Sequence, residues 1–229
     1  MKEQIYTIPL NDAFSKNDGC SLCRLFNELE TNEIDRITGA AMMEPNVRVE
    51  TNERGFCFRH FEMIANNGKR HPTALIIQSH LEEITSSIKK KKGIAALKKY
   101  IEKLDNDCYI CNRLNNIETS IIKNFFYLYS NDENFVKKVD AQSSICFPHA
   151  KLLLKFAETE LHKKETSTFC DKLSEKLLGE IEILQNDINW FCKKFDYRYK
   201  DEDWKNSKDS IERTILTLTG QYPKKDSKS

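Results

Sequence analysis

The chain has 229 residues, enough for one large domain or two small ones. Lys and Arg number 36 against 35 Asp and Glu, so the formal charge is +1 and the overall balance calls for neither nucleic acid nor an anionic membrane. With seven Gly, five Pro and 31% charged residues, a turn-rich β architecture is disfavoured and an all-α fold is expected.

The opening MKEQIYTIPLNDAF has no apolar core of signal-peptide length, and no run approaches about 18 apolar residues. The sequence therefore reads as a soluble, cytoplasmic protein with no membrane contact. In a reducing compartment its eight cysteines are expected to be ligands and buried thiols, not a disulfide framework.

Residues 1–19 read as a lead-in packed on the body, with the turn Asp18-Gly19 delivering the chain to Cys20. Leu22, Phe26, Leu29 and Ile37 follow helical spacing and predict a helix over 21–42, which Pro45 ends. Cys20 and Cys23 then lie at a helix N-terminus, where the dipole and free N–H groups favour thiolate. The alternating VRVET at 47–51 predicts an extended piece, followed by a turn at Asn52–Gly55 that leads into Cys57. After His60, FEMIANN reads as a short helix. Glu44, Glu50 and Glu53 read as solvated loop carboxylates.

A helix is predicted over 73–90, with Ile77, Leu81, Ile84 and Ile88 on one face and His80 at its border as a partly buried structural histidine. Lys89–Lys92 with Lys98 and Lys99 form the one dense basic run, read as a solvated helix end, with phosphate binding as the lesser alternative. Beyond Gly93 comes a further amphipathic stretch, Ile94, Leu97, Ile101 and Leu104.

The pattern then restarts. Cys20, Cys23, Cys57 and His60 form one quartet, and Cys108, Cys111, Cys146 and His149 form another, each written C-x2-C, 33 or 34 residues, C-x2-H. Three thiolates and an imidazole suit tetrahedral zinc, two ions per chain, and a two-residue spacer lets both ends of a pair reach one ion. The CxxC pairs stand 88 positions apart, as do NELET at 27–31 and NNIET at 115–119, and the CxxH pairs stand 89 apart. Asn27/Asn115 and Glu30/Glu118 are not needed for metal spacing, so the match points to internal duplication. The expected organisation is a first repeat at 1–98, a second at 99–189 packed with it as one unit, and a C-terminal strap and tail at 190–229. Each quartet is expected to close within its own repeat, because crossed closure spans longer loops and costs more entropy.

After His149, KLLLKFAETELHKK reads as a helix, and a long one follows over 168–195, carrying Phe169, Leu173, Leu177, Ile181, Leu184, Ile188, Phe191 and Phe195. Cys170 and Cys192 lie inside it, about 33 Å apart if the helix is continuous, and are expected as free, largely buried thiols. WFCKKFDYRYKDEDW, with Trp190, Phe191, Phe195, Tyr197, Tyr199 and Trp204, reads as an aromatic strap docked on the helices. PKKDSKS at 223–229 reads as a disordered tail.

Several strings carry a family likeness: YTIPLNDAF, DGCSLC, GAAMMEPNVRVETNERGFCFRH, CYIC, CFPH and KFDYRYKDEDW. The chain resembles, over nearly its whole length, an uncharacterised domain of bacterial, mostly clostridial, proteins. That resemblance implies domain boundaries and no activity.

The residues favour a zinc-stabilised helical protein with two structural sites, serving interaction or regulation, since both quartets are already full and catalytic zinc keeps a position for water. An iron–sulfur cluster or a working dithiol on the same residues is the alternative. Each CxxC has a CxxH complement that a dithiol site does not need. No Gly-rich phosphate loop, Gly-x-Ser-x-Gly elbow or HExxH motif is present, so enzymatic activity is not the favoured reading. Nucleic-acid binding is disfavoured by the neutral balance. The sequence is silent on partner and oligomeric state.

Overall fold

A computed structural model describes residues 5–221, which form eleven α-helices and no strand. The all-α expectation holds. None of these helices is long and apolar enough to cross a membrane. The described chain divides into two compact units, one made of the residues up to Leu25 with those from Ser120 onward, the other Phe26–Thr119. The divisions fall inside α2 (Ser21–Ile37) and α7 (Tyr109–Asn131).

In the Phe26–Thr119 unit, α2 ends at Ile37, short of the expected 42. Thr38 turns its hydroxyl back onto the Ile34 carbonyl at 2.7 Å, and Gly39 passes so close to the Asp35 carbonyl that a Cβ there would lie 2.9 Å from it. Ala40–Met43 tightens into a 3-10 turn. Pro45 starts the next helix. Its fixed φ suits the first helical position, and α3 runs Pro45–Arg54 behind the extended Glu44.

The extended piece expected at 47–51 is therefore corrected to helix. Val47 and Thr51, four apart, point into the core, while Val49 faces out. The period-2 alternation of β-branched residues was real, but the core selected the period-3.6 pair. Glu44, Glu50 and Glu53 are exposed as expected, the latter two on this helix and not in a loop.

α3 packs on α5 (Arg70–Lys90) through a contact that leaves no room for a side chain. Gly55 ends α3 at φ 64° and ψ −154°, a region open essentially to glycine. A Cβ on it would come within 2.6 Å of His80 Nε2. His80 is buried, and its Nδ1 donates to the Asn52 carbonyl at 2.7 Å, so it serves as the structural histidine expected. The Gly55 carbonyl accepts from the Tyr109 N–H at 3.0 Å, tying α3 to the start of α7. Around this point Ile34, Ile37, Val47, Phe56, Ile64 and Ile76 form the core. The buried Glu33 carboxylate is paired by Arg36 at 2.7 Å and Arg113 at 2.9 Å, which offsets its desolvation. α4 (Phe58–Asn66) and α6 (Ile94–Asp105) complete the unit.

The other unit holds α1 (Thr7–Ala13), α8 (Glu133–Asp140), α9 (Phe147–Glu160), α10 (Lys163–Lys193) and α11 (Ser210–Thr219). Its centre is aromatic: Phe14, Phe125, Phe126, Phe135 and Phe169 meet edge to face or tilted at 5.1–6.3 Å between centroids. The helix expected through 151–164 stops at Glu160, because Leu161 and His162 are extended; His162 and Glu165 then cap α10 reciprocally.

α10 is longer than expected, 31 residues. Cys170 and Cys192 both lie on it, half-buried and exposed respectively, and so are more open than the sequence predicts. The buried face is set by Phe169, Leu173 and Leu184, and Cys192 falls about a quarter turn away from it.

The segment after α10 is held by a cation. Lys194 is buried, and its ammonium donates to the carbonyls of Tyr199 at 2.6 Å, Lys200 at 2.9 Å and Glu202, over the Trp204 ring. Phe191 lies tilted against Trp204 at 5.6 Å between centroids, and Trp190 donates to the Asp203 carbonyl. Phe195 and Tyr197 remain exposed. The expected tail at 223–229 lies outside the described residues.

Gly55 and Gly93 separate backbone strain from packing. Gly93 has φ 85° with open space around its would-be Cβ. Gly93→Ala is expected to cost about 1–3 kcal/mol from backbone strain alone. Gly55→Ala meets the same strain plus the His80 clash and should cost more, read as the larger fall in denaturation midpoint.

Candidate metal centre

Each of the four ligand pairs opens a helix. Cys20 precedes α2 and Cys23 lies in its first turn; Cys108 and Cys111 stand the same way to α7. Cys57 and Cys146 are the N-cap residues of α4 and α9, with extended backbones at ψ 165° and 154°, and His60 and His149 follow in the first turns. An i, i+3 spacing across a first turn puts both side chains on one side.

The pairs meet in crossed order. Cys20, Cys23, Cys146 and His149 converge in one unit, and Cys57, His60, Cys108 and Cys111 in the other. Within each set the ligand atoms all lie within 4.8 Å of one another, a grouping that could hold a metal ion. The expected closure of Cys20 and Cys23 with Cys57 and His60, and of Cys108 and Cys111 with Cys146 and His149, is thus overturned: each CxxC meets the other CxxH. Closure by loop entropy assumes a flexible spacer, but α2, the 3-10 turn and α3 make it almost wholly helical, so its course is set by helix packing and not by loop length. Cys57 and His60 instead meet the next CxxC, brought in after α5 and α6.

Both histidines turn Nδ1 toward the sulfurs. His60 Nδ1 lies 3.2 Å from Cys57 Sγ, 3.2 Å from Cys108 Sγ and 3.5 Å from Cys111 Sγ. His149 Nδ1 lies 3.0 Å from Cys146, 3.3 Å from Cys23 and 3.5 Å from Cys20. Between sulfurs, Cys23 and Cys146 stand 3.4 Å apart and Cys57 and Cys111 3.9 Å apart.

Crowding splits the protons unevenly. Burial raises Cys111 to about 12, helped by the charge of Cys108. Burial also acts to raise Cys108, but hydrogen bonds from His60 and from the backbone N–H groups of Cys111 and Cys57 bring it down to about 6. Burial opposes charge on His60, yet its bonds to Cys108 and Glu30 lift it to about 10. In the other cluster Cys20 is lowered by its bonds to Cys146 and Cys23, while Cys23 is raised by its bonds to Cys146 and Cys20 and by burial. His149 is lifted to about 9 against burial by Cys146 and Cys20.

The His60 cluster is backed by a carboxylate. His60 Nε2 lies 2.9 Å from the buried Glu30 carboxylate, which Arg59 grips with Nε and Nη2. Burial works to raise Glu30, but the bonds from His60 and Arg59 outweigh it and hold the carboxyl below its ordinary value. A carboxylate on the far nitrogen fixes the ring's orientation and tautomer, leaving Nδ1 for a metal. Sequence spacing did not assign Glu30 this role, although the Glu30/Glu118 match marked it as retained beyond the ligands.

The Cys20 cluster is instead covered by the end of α11. Gly220, at φ 71°, sets its carbonyl 3.8 Å from Cys23 Sγ, and a Cβ there would touch Pro148 and Cys146 Sγ. All three of its cysteines are buried, whereas Cys57 and Cys111 are half-buried.

Fold and site together define an all-helical protein with two three-cysteine, one-histidine clusters, each suited to a metal ion. The chain belongs to the family of unknown function DUF6062, whose model matches residues 1–225. No curated protein and no solved structure matches it significantly.

The crossed order is open to a test that needs no metal. Mild oxidation of metal-stripped protein should join cysteines of one cluster, Cys23 to Cys146 in particular. Peptide mapping that finds Cys20 or Cys23 bridged to Cys57 would contradict the geometry.

Proposed function

We propose that the chain is a zinc protein with two structural sites, one in each unit, and that its role is interaction or regulation and not catalysis. The observation that carries this is the closure of both quartets: four protein ligands face one another in each, with no position reserved for water or substrate. Tetrahedral zinc with bonds of about 2.3 Å to sulfur and about 2.0–2.1 Å to nitrogen separates sulfurs by about 3.8 Å and sulfur from nitrogen by about 3.5 Å. Separations of 3.4 and 3.9 Å between sulfurs and 3.0–3.5 Å from sulfur to nitrogen, with all ligand atoms of a set within 4.8 Å of one another, are compatible with a single ion. Ligands of an iron–sulfur cluster bind different irons and stand farther apart, so that reading is less well supported.

Zinc in these positions would join helix starts far apart in sequence. Its binding free energy would then add to folding, because the unfolded chain holds no preformed site.

Protein purified without oxygen should carry two zinc per chain and be colourless; iron with sulfide would overturn the proposal. Paired substitutions then test the ligand sets. Cys57→Ser with Cys111→Ser strikes one cluster and should remove one metal while leaving the other. Cys57→Ser with Cys23→Ser strikes both and should deplete both. Cys170→Ser, at a thiol outside either set, should change stability by no more than about 1–2 kcal/mol.

A further inference from the structure

Alone among the eleven α-helices of the described residues, α6 buries no residue, yet it keeps an apolar face. Ile94, Leu97 and Ile101 recur at helical spacing along it and are 89%, 37% and 53% exposed. Ile88, at the end of α5, is exposed as well. A ridge of this kind normally packs on something.

The charge around the ridge is one-sided. Between Ile88 and the end of α6 at Asp105 stand Lys89, Lys90, Lys91, Lys92, Lys98, Lys99 and Lys103 against Glu102 and Asp105, a local charge of +5 in a chain whose total is +1. The rest of the chain is therefore at −4. All seven lysines are exposed. Lys98 and Glu102 make a loose pair at 3.6 Å, and Lys91 lies over the Tyr100 ring; none of the other five forms an ion pair among the described residues. Every cation is lysine, a mobile point charge, where bidentate recognition of a fixed partner favours arginine.

From this we infer that α6 and the lysine linker before it dock peripherally on an anionic lipid surface, with Ile94, Leu97 and Ile101 entering the interface and the lysines among the headgroups. Each lysine near such a surface is worth about fivefold in affinity, and a cluster of four to eight on an amphipathic helix is the usual basis of such binding. A nucleic acid would reward the lysines but not the apolar ridge. An acidic protein could use both, but a convex ridge flanked by flexible lysines suits a deformable surface better than a shaped groove. The inference does not depend on the metal sites.

The test is co-sedimentation of the full chain with vesicles of phosphatidylglycerol in phosphatidylcholine, and with phosphatidylcholine alone. Binding is expected only to the anionic vesicles, weakening at about 0.5 M salt. Changing Lys89, Lys90, Lys91 and Lys92 to Gln should weaken it by about tenfold or more. Ile94→Ser with Ile101→Ser should weaken it similarly. These positions are solvent-exposed, so an unchanged melting curve verifies that each variant is folded. Absence of binding to anionic vesicles, which leaves the ridge to an acidic protein, overturns the inference. Binding that survives the loss of Ile94 and Ile101 overturns it too, by reducing the contact to attraction for any polyanion.

Discussion

The architecture depends on sulfur atoms held at helix starts. Each of the four ligand pairs opens a helix, and each unit closes around two of those openings. Three thiols and an imidazole within 4.8 Å form an uncomfortable group without a cation. Like charges cannot all be present, so protons distribute unevenly, with Cys20 and Cys108 driven toward thiolate while Cys23 and Cys111 resist ionisation. A divalent cation bound there would take the place of the protons and relieve the repulsion at once.

The remaining packing arranges those helix starts. Gly55 illustrates how tightly. Its carbonyl receives the first N–H of α7, which opens at Cys108, while its missing side chain admits His80 from α5. Two residues later the chain reaches Cys57. One glycine thus positions both ligand pairs of its cluster through a close approach that any Cβ would obstruct. In the other unit Gly220 has a similar part from the opposite end of a helix, closing α11 over Cys146 and Pro148.

The clusters share a ligand set but not an environment. One is buried beneath the end of α11; the other is half open and braced by the Glu30–Arg59 pair behind His60. Burial slows exchange and excludes water, and a braced imidazole keeps its orientation even where solvent reaches the sulfurs. Charge shows a similar unevenness: the whole-chain balance near zero conceals a strongly basic segment around α6 and a compensating acidic remainder.

The sequence alone determined the fold class, the eight clustered residues and the internal match between Cys20–Glu30 and Cys108–Glu118. These follow from composition and spacing, which are local properties. It located helix starts well where a cysteine pair or Gly93 marked them, but read Pro45 as a helix end where it opens α3. Which pairs meet was a different matter. Matched spacers of 33 and 34 residues made closure within each repeat look cheapest by loop entropy, but that argument assumed flexible spacers, and α2 and α3 make the first one mostly helical. Val47 and Val49 could not announce this, because a short β-branched alternation fits a strand equally well until the core takes Val47 with Thr51. Glu30 behind His60, Lys194 among its carbonyls and Gly220 over Cys146 were likewise decided only by tertiary structure. Each is a contact between residues distant in sequence or folded back through a turn, and no periodicity along the chain records such a contact.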